Sequence, residues 1–205
     1  EDGTPIETAA LLRGPLDAKG EDGQLVFRSN IRSLVDTGDP AVVLRNGLLN
    51  QQPKQAIVVL AGPATNLARL LKLSGAREIV AARSQLLVMA AGAFEGNSPD
   101  PRIQADAASA REVLVKWPTP IVAVGVEMGS AAPYPEATIE NDLAKMANHP
   151  LVAAFRAQRT PDGASGVVNA QAAVAALYAA NSTADSWELS PPGTITVADS
   201  GRTSF

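Results

Sequence analysis

The sequence predicts an α/β fold, with a mostly parallel sheet and helices on its faces. Three observations predict it: three short runs of consecutive apolar residues, a glycine- or proline-rich loop after each run, and helical spacing of apolar residues between the runs. Runs that are apolar throughout are typical of strands buried on both faces, as in parallel sheets. Strands that alternate with helices indicate the crossover connections that such sheets need.

The first elements follow a polar start. Residues 1–24 show no apolar periodicity and hold several glycines, so we expect a loop there. Asp39-Pro40 predicts the start of a helix, because aspartate is a good N-cap and proline fits the first turn. Ala56–Leu60 is the first predicted strand. Gly62–Asn66 is the turn after it, and it leads into a leucine-rich helix that glycine stops at Gly75.

The same pattern continues to the C-terminus. Leu86–Ala91 and Ile121–Val126 are the second and third predicted strands, on either side of a helix from Gln104 to Lys116. The remaining predicted elements are helices at Ile139–Asn148, Leu151–Gln158 and Ala170–Ala180, a loop at 159–167, and a short β-hairpin formed by Thr194–Val197, the turn Asp199–Gly201 and the last residues. No internal repeat or linker interrupts this order, so residues 1–205 are interpreted as one domain.

Composition removes several classes of function. The chain is 46% hydrophobic and 19% charged, which is typical of a globular domain. Its net charge of −4 and its lack of lysine and arginine clusters do not indicate a surface that binds nucleic acid. The longest apolar runs, Ile57–Gly62 and Leu86–Ala93, fall well short of the roughly 18 residues that span a membrane. Without cysteine and with His149 as its one histidine, the chain has no disulfide and no cysteine- or histidine-rich metal site. The composition does not indicate a compartment.

Chemistry is expected in the loops that follow the strands, because ligands of parallel α/β sheets bind at the carboxyl ends of the strands. Ala61–Asn66, with Thr65 or Asn66 as the cap of the next helix, either offers the free N–H groups of that helix to an anion or a hydroxyl, or is a plain strand-to-helix turn with its cap. Gly92–Arg102 is either a site for hydroxyl recognition or a solvated loop. Its polar residues are Glu95, Asn97, Asp100 and Arg102.

Other candidates are structural in the simpler interpretation. Glu127 follows the third strand, in the loop that runs to Pro135, as a carboxylate at the sheet edge or as a partner of a helix start. His149 is interpreted as a histidine at a helix end. The sequence contains no Gly-x-Ser-x-Gly elbow, no phosphate-binding Gly-Lys-Ser/Thr loop and no Gly-x-Gly-x-x-Gly fingerprint. An anion site of the dinucleotide-binding type at Gly62–Asn66 is therefore disfavoured.

Several segments, in order, resemble the inosine/uridine-preferring nucleoside hydrolase family. Ile57–Ala68 resembles that family's Gly-Pro-Leu-Thr-Asn turn, and Val88–Asn97 is similar to its Met-Gly-Gly…Gly-Asn segment. Further similar stretches are Asp106–Ala110, Trp117–Val122, Ala176–Ala179 and Ser190–Val197. The resemblance covers roughly residues 40–205, and the order and spacing of the motifs make it more specific than any one of them.

The resemblance implies a Rossmann-like, nucleoside-hydrolase-like fold and hydrolysis of the N-glycosidic bond of ribonucleosides. In that family Ca²⁺ binds the ribose hydroxyls and orients the attacking water, and an aspartate acts as general base. Such a hard cation takes oxygen ligands and lowers the pKa of its water. Carried over by position, the substrate-binding residues are Met89, Asn97, Asp100, Arg102 and Asn66, and the carbonyl of Ala61 is a backbone calcium ligand.

The sequence departs from the family where the metal is held. The family's N-terminal aspartate cluster has no counterpart, and its late aspartate ligand aligns with Ala172, after Gln171. If Asn169 or Asp162 reached the metal instead, that assignment would change. Asp100 stands in place of a glutamate and Arg102 in place of an asparagine.

Because Ca²⁺ needs several oxygen ligands, we expect the chain to be inactive alone, as an N-terminally incomplete or diverged hydrolase. The alternative is a non-catalytic sugar- or nucleoside-binding or structural module on the same fold. The expected partners are a small ribonucleoside or sugar and a second copy of the chain, without nucleic acid or membrane.

Overall fold

The computed structural model describes residues 14–31, 33–96, 98–133, 135, 137–146, 148–157 and 169–205. Contacts divide the chain into two compact units. The larger holds residues 38–132 and 169–205, and the smaller holds the described residues of 5–37 and 133–168. The interpretation of the chain as one domain stays a prediction. The described helices include none that is both long and apolar enough to cross a membrane.

The larger unit is built on a three-stranded parallel sheet, which confirms the predicted α/β class. Its strands are β1 (Ala56–Leu60), β2 (Ser84–Met89) and β3 (Ile121–Ala123), and they pair in that order. The central strand is the most deeply buried, because Leu87 and Val88 have no exposed surface. Consecutive apolar residues are needed where both faces of a strand are covered, and this is the pattern that predicted the sheet.

Two of the predicted strands were too long at their carboxyl ends. β2 ends at Met89 and β3 at Ala123, although the buried apolar residues continue through Ala91 and Val124. After these ends Ala90 N donates to the Leu60 oxygen, and Val124 N and Val126 N donate to the Met89 and Gly92 oxygens. Burial that continues beyond the regular strands explains why the apolar pattern overran them.

Seven helices of the described larger unit surround the sheet. They are α1 (Pro40–Leu49), α2 (Thr65–Lys72), α3 (Ala76–Arg83), α4 (Pro101–Ala105), α5 (Ala107–Lys116), α6 (Val126–Ala131) and α8 (Gln171–Ala180). The predicted cap of α1 is confirmed, because the Asp39 carboxylate accepts hydrogen bonds from Ala41 N and Val42 N. The core includes Leu67, Leu70 and Leu71 of α2 and Leu87 and Met89 of β2. Burial of each such side chain stabilises the fold by about 1.5–3 kcal/mol.

The helices of the larger unit differ from the prediction in three ways. The single helix predicted from Gln104 to Lys116 is two helices, because Asp106 adopts φ −156° and ψ 73° and caps α5 by accepting from Ser109 N. The short helices α3 and α6 were not predicted. α6 begins at Val126, where the sequence predicted the end of a strand. The helix predicted to stop at Gly75 ends at Lys72, and Gly75 (φ 70°) precedes α3 instead.

The predicted C-terminal hairpin is confirmed. β4 (Thr196–Val197) pairs antiparallel with β5 (Thr203–Ser204). Gly201 turns the chain between them with φ 82°, a conformation that side-chain-bearing residues rarely adopt. Both strands are shorter than predicted.

The smaller unit is less regular than predicted. It contains 3-10 turns at Leu34–Asp36 and Leu143–Lys145, a π turn at Thr138–Asp142 and the helix α7 (Pro150–Ala157). The helix predicted over Ile139–Asn148 is wrong, because Met146 is extended and Asn148 has φ 55°. Ile139, Val152 and Phe155 form its small buried cluster. Within the predicted N-terminal loop the structure describes only residues from 14 onward, where Lys19 and Leu25 form an isolated antiparallel bridge. The predicted loop at 159–167 lies outside the described residues.

Candidate functional site

The loops after β2 and β3 run side by side at the carboxyl edge of the sheet. Val126 N donates to the Gly92 oxygen at 2.8 Å, beyond the ends of both strands. Polar side chains from these loops and from the start of α8 meet there. This confirms the expectation that polar groups gather at this edge of a parallel sheet.

Asp100 is the centre of the polar cluster. It has no exposed surface, and it is the one charged residue that is fully buried in the described part of the chain. Its Oδ2 accepts from Gly92 N and from Gln171 Nε2, each at 3.0 Å. Its Oδ1 accepts from Arg102 N at 2.7 Å, which makes Asp100 the N-cap of α4. A buried carboxylate needs such partners, since burial without them is costly.

Gln171 joins three segments to this carboxylate. Its Nε2 also donates to the Val124 oxygen at 2.8 Å, and its Oε1 accepts from Arg102 Nη1 at 2.5 Å. Its backbone N–H donates to Asn169 Oδ1 at 2.9 Å. The side chain is fully buried, so water would not replace any hydrogen bond that Gln171 lost.

Arg102 supplies the positive charge next to Asp100. Its Nη1 lies 3.7 Å from Asp100 Oδ1, and its side chain keeps 25% of its surface exposed. Its Nε and Nη2 atoms have no partner within the described segments. One edge of the guanidinium is therefore anchored, and the Nε and Nη2 edge makes no hydrogen bond to the described residues.

Glu127 holds the loop after β2 from the first turn of α6. Its Oε1 accepts from Phe94 N and from Glu95 N, each at 2.7 Å. Gly125 allows this approach, since a Cβ there would clash with the Glu127 carboxylate. The carboxylate thus lies at the sheet edge as the sequence predicted, with one oxygen committed to backbone groups.

The C-terminal hairpin contacts the same loop through Thr203. The Thr203 hydroxyl donates to the Ala93 oxygen at 2.7 Å and accepts from Ala93 N at 2.8 Å. Asn169 fixes the other side of the cluster, where its Nδ2 donates to the Val126 oxygen and to Ser130 Oγ. Neither contact was predicted.

The remaining candidates from the sequence lie elsewhere. Met89 ends β2 and is buried in the hydrophobic core, with 2% of its surface exposed. Asn66 and Ala61 are exposed, and no hydrogen bond joins either one to Asp100 in the described part of the chain. Asn97 lies outside the described residues. The structure thus brings Asp100 and Arg102 together but places Asn66 and Ala61 outside their hydrogen-bonded cluster.

The loop after β1 is capped differently from the prediction. Ala64 is the N-cap of α2 and makes no side-chain hydrogen bond there. Thr65 Oγ1 instead donates to Asp106 Oδ2 at 2.5 Å. Burial raises the pKa of the Asp106 carboxyl, but the hydrogen bonds from Thr65 and Ser109 and the charge of Lys72 outweigh it and lower the pKa below its ordinary value.

His149 has the structural role that its position suggested. It precedes α7, and its Nδ1 accepts from Leu151 N at 3.2 Å. This bond satisfies an N–H of the first helical turn.

The donors at the sheet edge do not fit a calcium site. Calcium takes six to eight oxygen ligands in proteins. The described residues contain no cluster of three or more aspartate, glutamate, histidine or cysteine side chains suited to a metal. Both oxygens of Asp100 already accept from N–H groups, and Ala172 has no side-chain oxygen.

Comparison with solved structures identifies the fold. A plant nucleoside hydrolase superposes on this chain with a TM-score of 0.64 and 19% sequence identity, over 91% of this chain and 61% of that one. The fold is that of a nucleoside hydrolase. This chain therefore spans about three fifths of the length of the solved chain that it matches. No protein-family model and no curated protein matches the sequence.

The sequence singled out Gln171 only through the resemblance, as the residue before Ala172, and predicted no role for it in the site. One signal was present, because an amide opens a helix whose other nine residues are alanine, valine, leucine and tyrosine. A polar side chain at the start of such a helix must find partners if the helix end is buried. Its partners are distant in sequence, so the residue pattern alone did not identify them.

Proposed function

We propose that this chain is a nucleoside-hydrolase-like protein whose parent activity is hydrolysis of the N-glycosidic bond of ribonucleosides. We further propose that the 205-residue chain does not carry out this reaction alone. The fold likeness and the ordered motifs support the first part. The small molecule that such a protein would accept is a ribonucleoside or its sugar.

The state of Asp100 supports the second part. A carboxylate that activates water, or that holds a metal which does so, needs an oxygen free for the water or the metal. Asp100 has both oxygens engaged by N–H groups and no exposed surface. Glu127 has only Oε1 engaged by backbone N–H groups, so this support rests on Asp100 alone.

Release of base from inosine and uridine tests this proposal. We expect no turnover by the 205-residue chain, with calcium or with a chelator. Turnover that needs calcium would contradict the proposal. A mock purification from cells that do not express the chain is the control, because activity that it shares with the purified chain comes from a contaminating hydrolase.

A second candidate function is a non-catalytic module that binds a sugar or nucleoside. The Arg102 guanidinium favours it, since Nε and Nη2 have no partner among the described residues and lie beside an otherwise satisfied cluster. Calorimetric titration with ribose and with nucleosides separates the candidates. Binding without turnover supports the module, and the absence of both supports a scaffold role.

A further inference from the structure

We propose that Arg102 is the fixed cation at the carboxyl edge of the sheet, so that its guanidinium takes the part of a divalent metal and ligand binding is independent of divalent cations. The inference rests on the proposed sugar-binding role. It starts from the disagreement between the cluster at the sheet edge and the oxygen ligands that calcium requires.

Arg102 is anchored in one position. Its Nη1 donates to Gln171 Oε1 at 2.5 Å, and its backbone N–H donates to Asp100 Oδ1 at 2.7 Å. Gln171 is itself fixed by bonds to Asp100 and to the Val124 oxygen. A cation held in this way has already lost its side-chain freedom, which lowers the entropic cost of binding a ligand.

The charge of Arg102 compensates the charge of the buried Asp100 carboxylate. Asp100 is a fully buried carboxylate, and such a group needs a compensating positive charge or several hydrogen bonds. Arg102 supplies the charge at 3.7 Å, and three N–H groups occupy the carboxylate oxygens. A metal ion would have to displace these donors before it could reach Asp100.

The Nε and Nη2 edge of Arg102 has a shape that suits two adjacent oxygen atoms. The Nε and Nη2 groups of a guanidinium point in parallel and match two adjacent oxygen atoms. A ribose cis-diol and a phosphate both offer such a pair. Because Arg102 and Asp100 together carry no net charge, the neutral diol fits this edge better than an anion.

Calorimetry on the full 205-residue chain tests the inference with ribose and inosine as probes. We expect equal affinity in a chelator and in millimolar calcium. Arg102→Gln should weaken binding about tenfold or more, because it removes hydrogen bonds from a charged donor. Arg102→Lys keeps the charge without the two parallel N–H groups and should show a smaller loss. The matched control is Arg111→Gln, which removes a guanidinium paired with the exposed Asp199 and should leave affinity unchanged.

Each outcome decides a separate point. Affinity that rises with calcium, or that is unchanged in Arg102→Gln, overturns the inference. If inorganic phosphate binds more tightly than ribose, the assignment of a neutral diol as the ligand is wrong. If the chain binds neither ribose nor inosine, the proposed sugar-binding role fails, and the melting temperature then tests the cation alone. Stabilisation of the unaltered chain by calcium contradicts the inference, whereas no effect of calcium together with a lower melting temperature in Arg102→Gln supports it.

Discussion

The carboxylate of Asp100 and the side-chain amide of Gln171 meet at 3.0 Å in the interior, although 71 positions separate them in the chain. This bond joins the loop after β2 to the start of α8. With Val124 and Arg102 as further partners, it makes the carboxyl edge of the sheet one hydrogen-bonded unit. Such a network stabilises a fold only when all its members are satisfied, so single changes in it should have large effects.

Gln171→Ala should destabilise the chain by about 2–4 kcal/mol, because it removes one of the two donors to Asp100 Oδ2 and the side-chain partners of the Val124 carbonyl and of Arg102 Nη1 in a buried site. The control is Gln52→Ala, which truncates an exposed glutamine and should change stability by less than about 0.5 kcal/mol. Unfolding in urea, followed by circular dichroism, measures both. Equal stability of the two variants would refute the network.

Glu127→Ala should loosen the loop after β2 without unfolding the sheet. The backbone N–H groups of Phe94 and Glu95 both donate to Glu127 Oε1, so both should exchange with solvent faster in the variant. Glu127→Gln keeps an amide oxygen in place of Oε1 and should retain most of the protection. Amide hydrogen exchange measures this directly, and unchanged exchange in Glu127→Ala would show that the carboxylate does not hold the loop.

The sequence predicted the sheet and its main helices because their signals are local. Continuous apolar runs identified β1 and β2, and a cap with proline identified α1. The short helices α3 and α6 carry only weak periodicity, so they were missed. Asp100 and Arg102 were named as candidates from the polar loop after the second strand and again by resemblance, but their partner Gln171 lies in another part of the chain. Nothing local in the sequence specifies which distant amide satisfies a buried carboxylate.

Gly129→Ala and Gly47→Ala should change stability in opposite directions. A Cβ at Gly129 would clash with Asn169 Oδ1 and Gln171 N, where α6 packs on the start of α8, and such overpacking costs about 1–3 kcal/mol. A Cβ at Gly47 meets no atom within 4 Å on the exposed side of α1, so alanine should stabilise that helix by about 0.5–1 kcal/mol. Thermal unfolding measures both. A stabilising Gly129→Ala would contradict the close approach of the two helices.

The lowered pKa of Asp106 predicts a stability that depends on pH. Burial raises this pKa, but the hydrogen bonds from Thr65 and Ser109 and the charge of Lys72 outweigh it and bring the pKa below the ordinary value of 3.8. A carboxyl whose folded pKa is lowered contributes stability above its unfolded pKa, and that contribution is lost as the pH falls through the folded pKa. The stability advantage of the unaltered chain over Asp106→Asn should therefore be complete at neutral pH and shrink below 3.8.

Thr65→Val tests the cause of this shift. It removes the hydroxyl that donates to Asp106 Oδ2, so the pKa of Asp106 should move upward and stability at neutral pH should fall by about 1 kcal/mol. Thr65→Ser keeps the hydroxyl and should leave the pKa low. The hydrogen bonds from Lys116 and Lys72 lower the pKa of Glu112 in every variant, so differences between variants isolate Asp106. A carboxyl titration followed by NMR would contradict this account if the pKa of Asp106 were the same with valine and with serine at position 65.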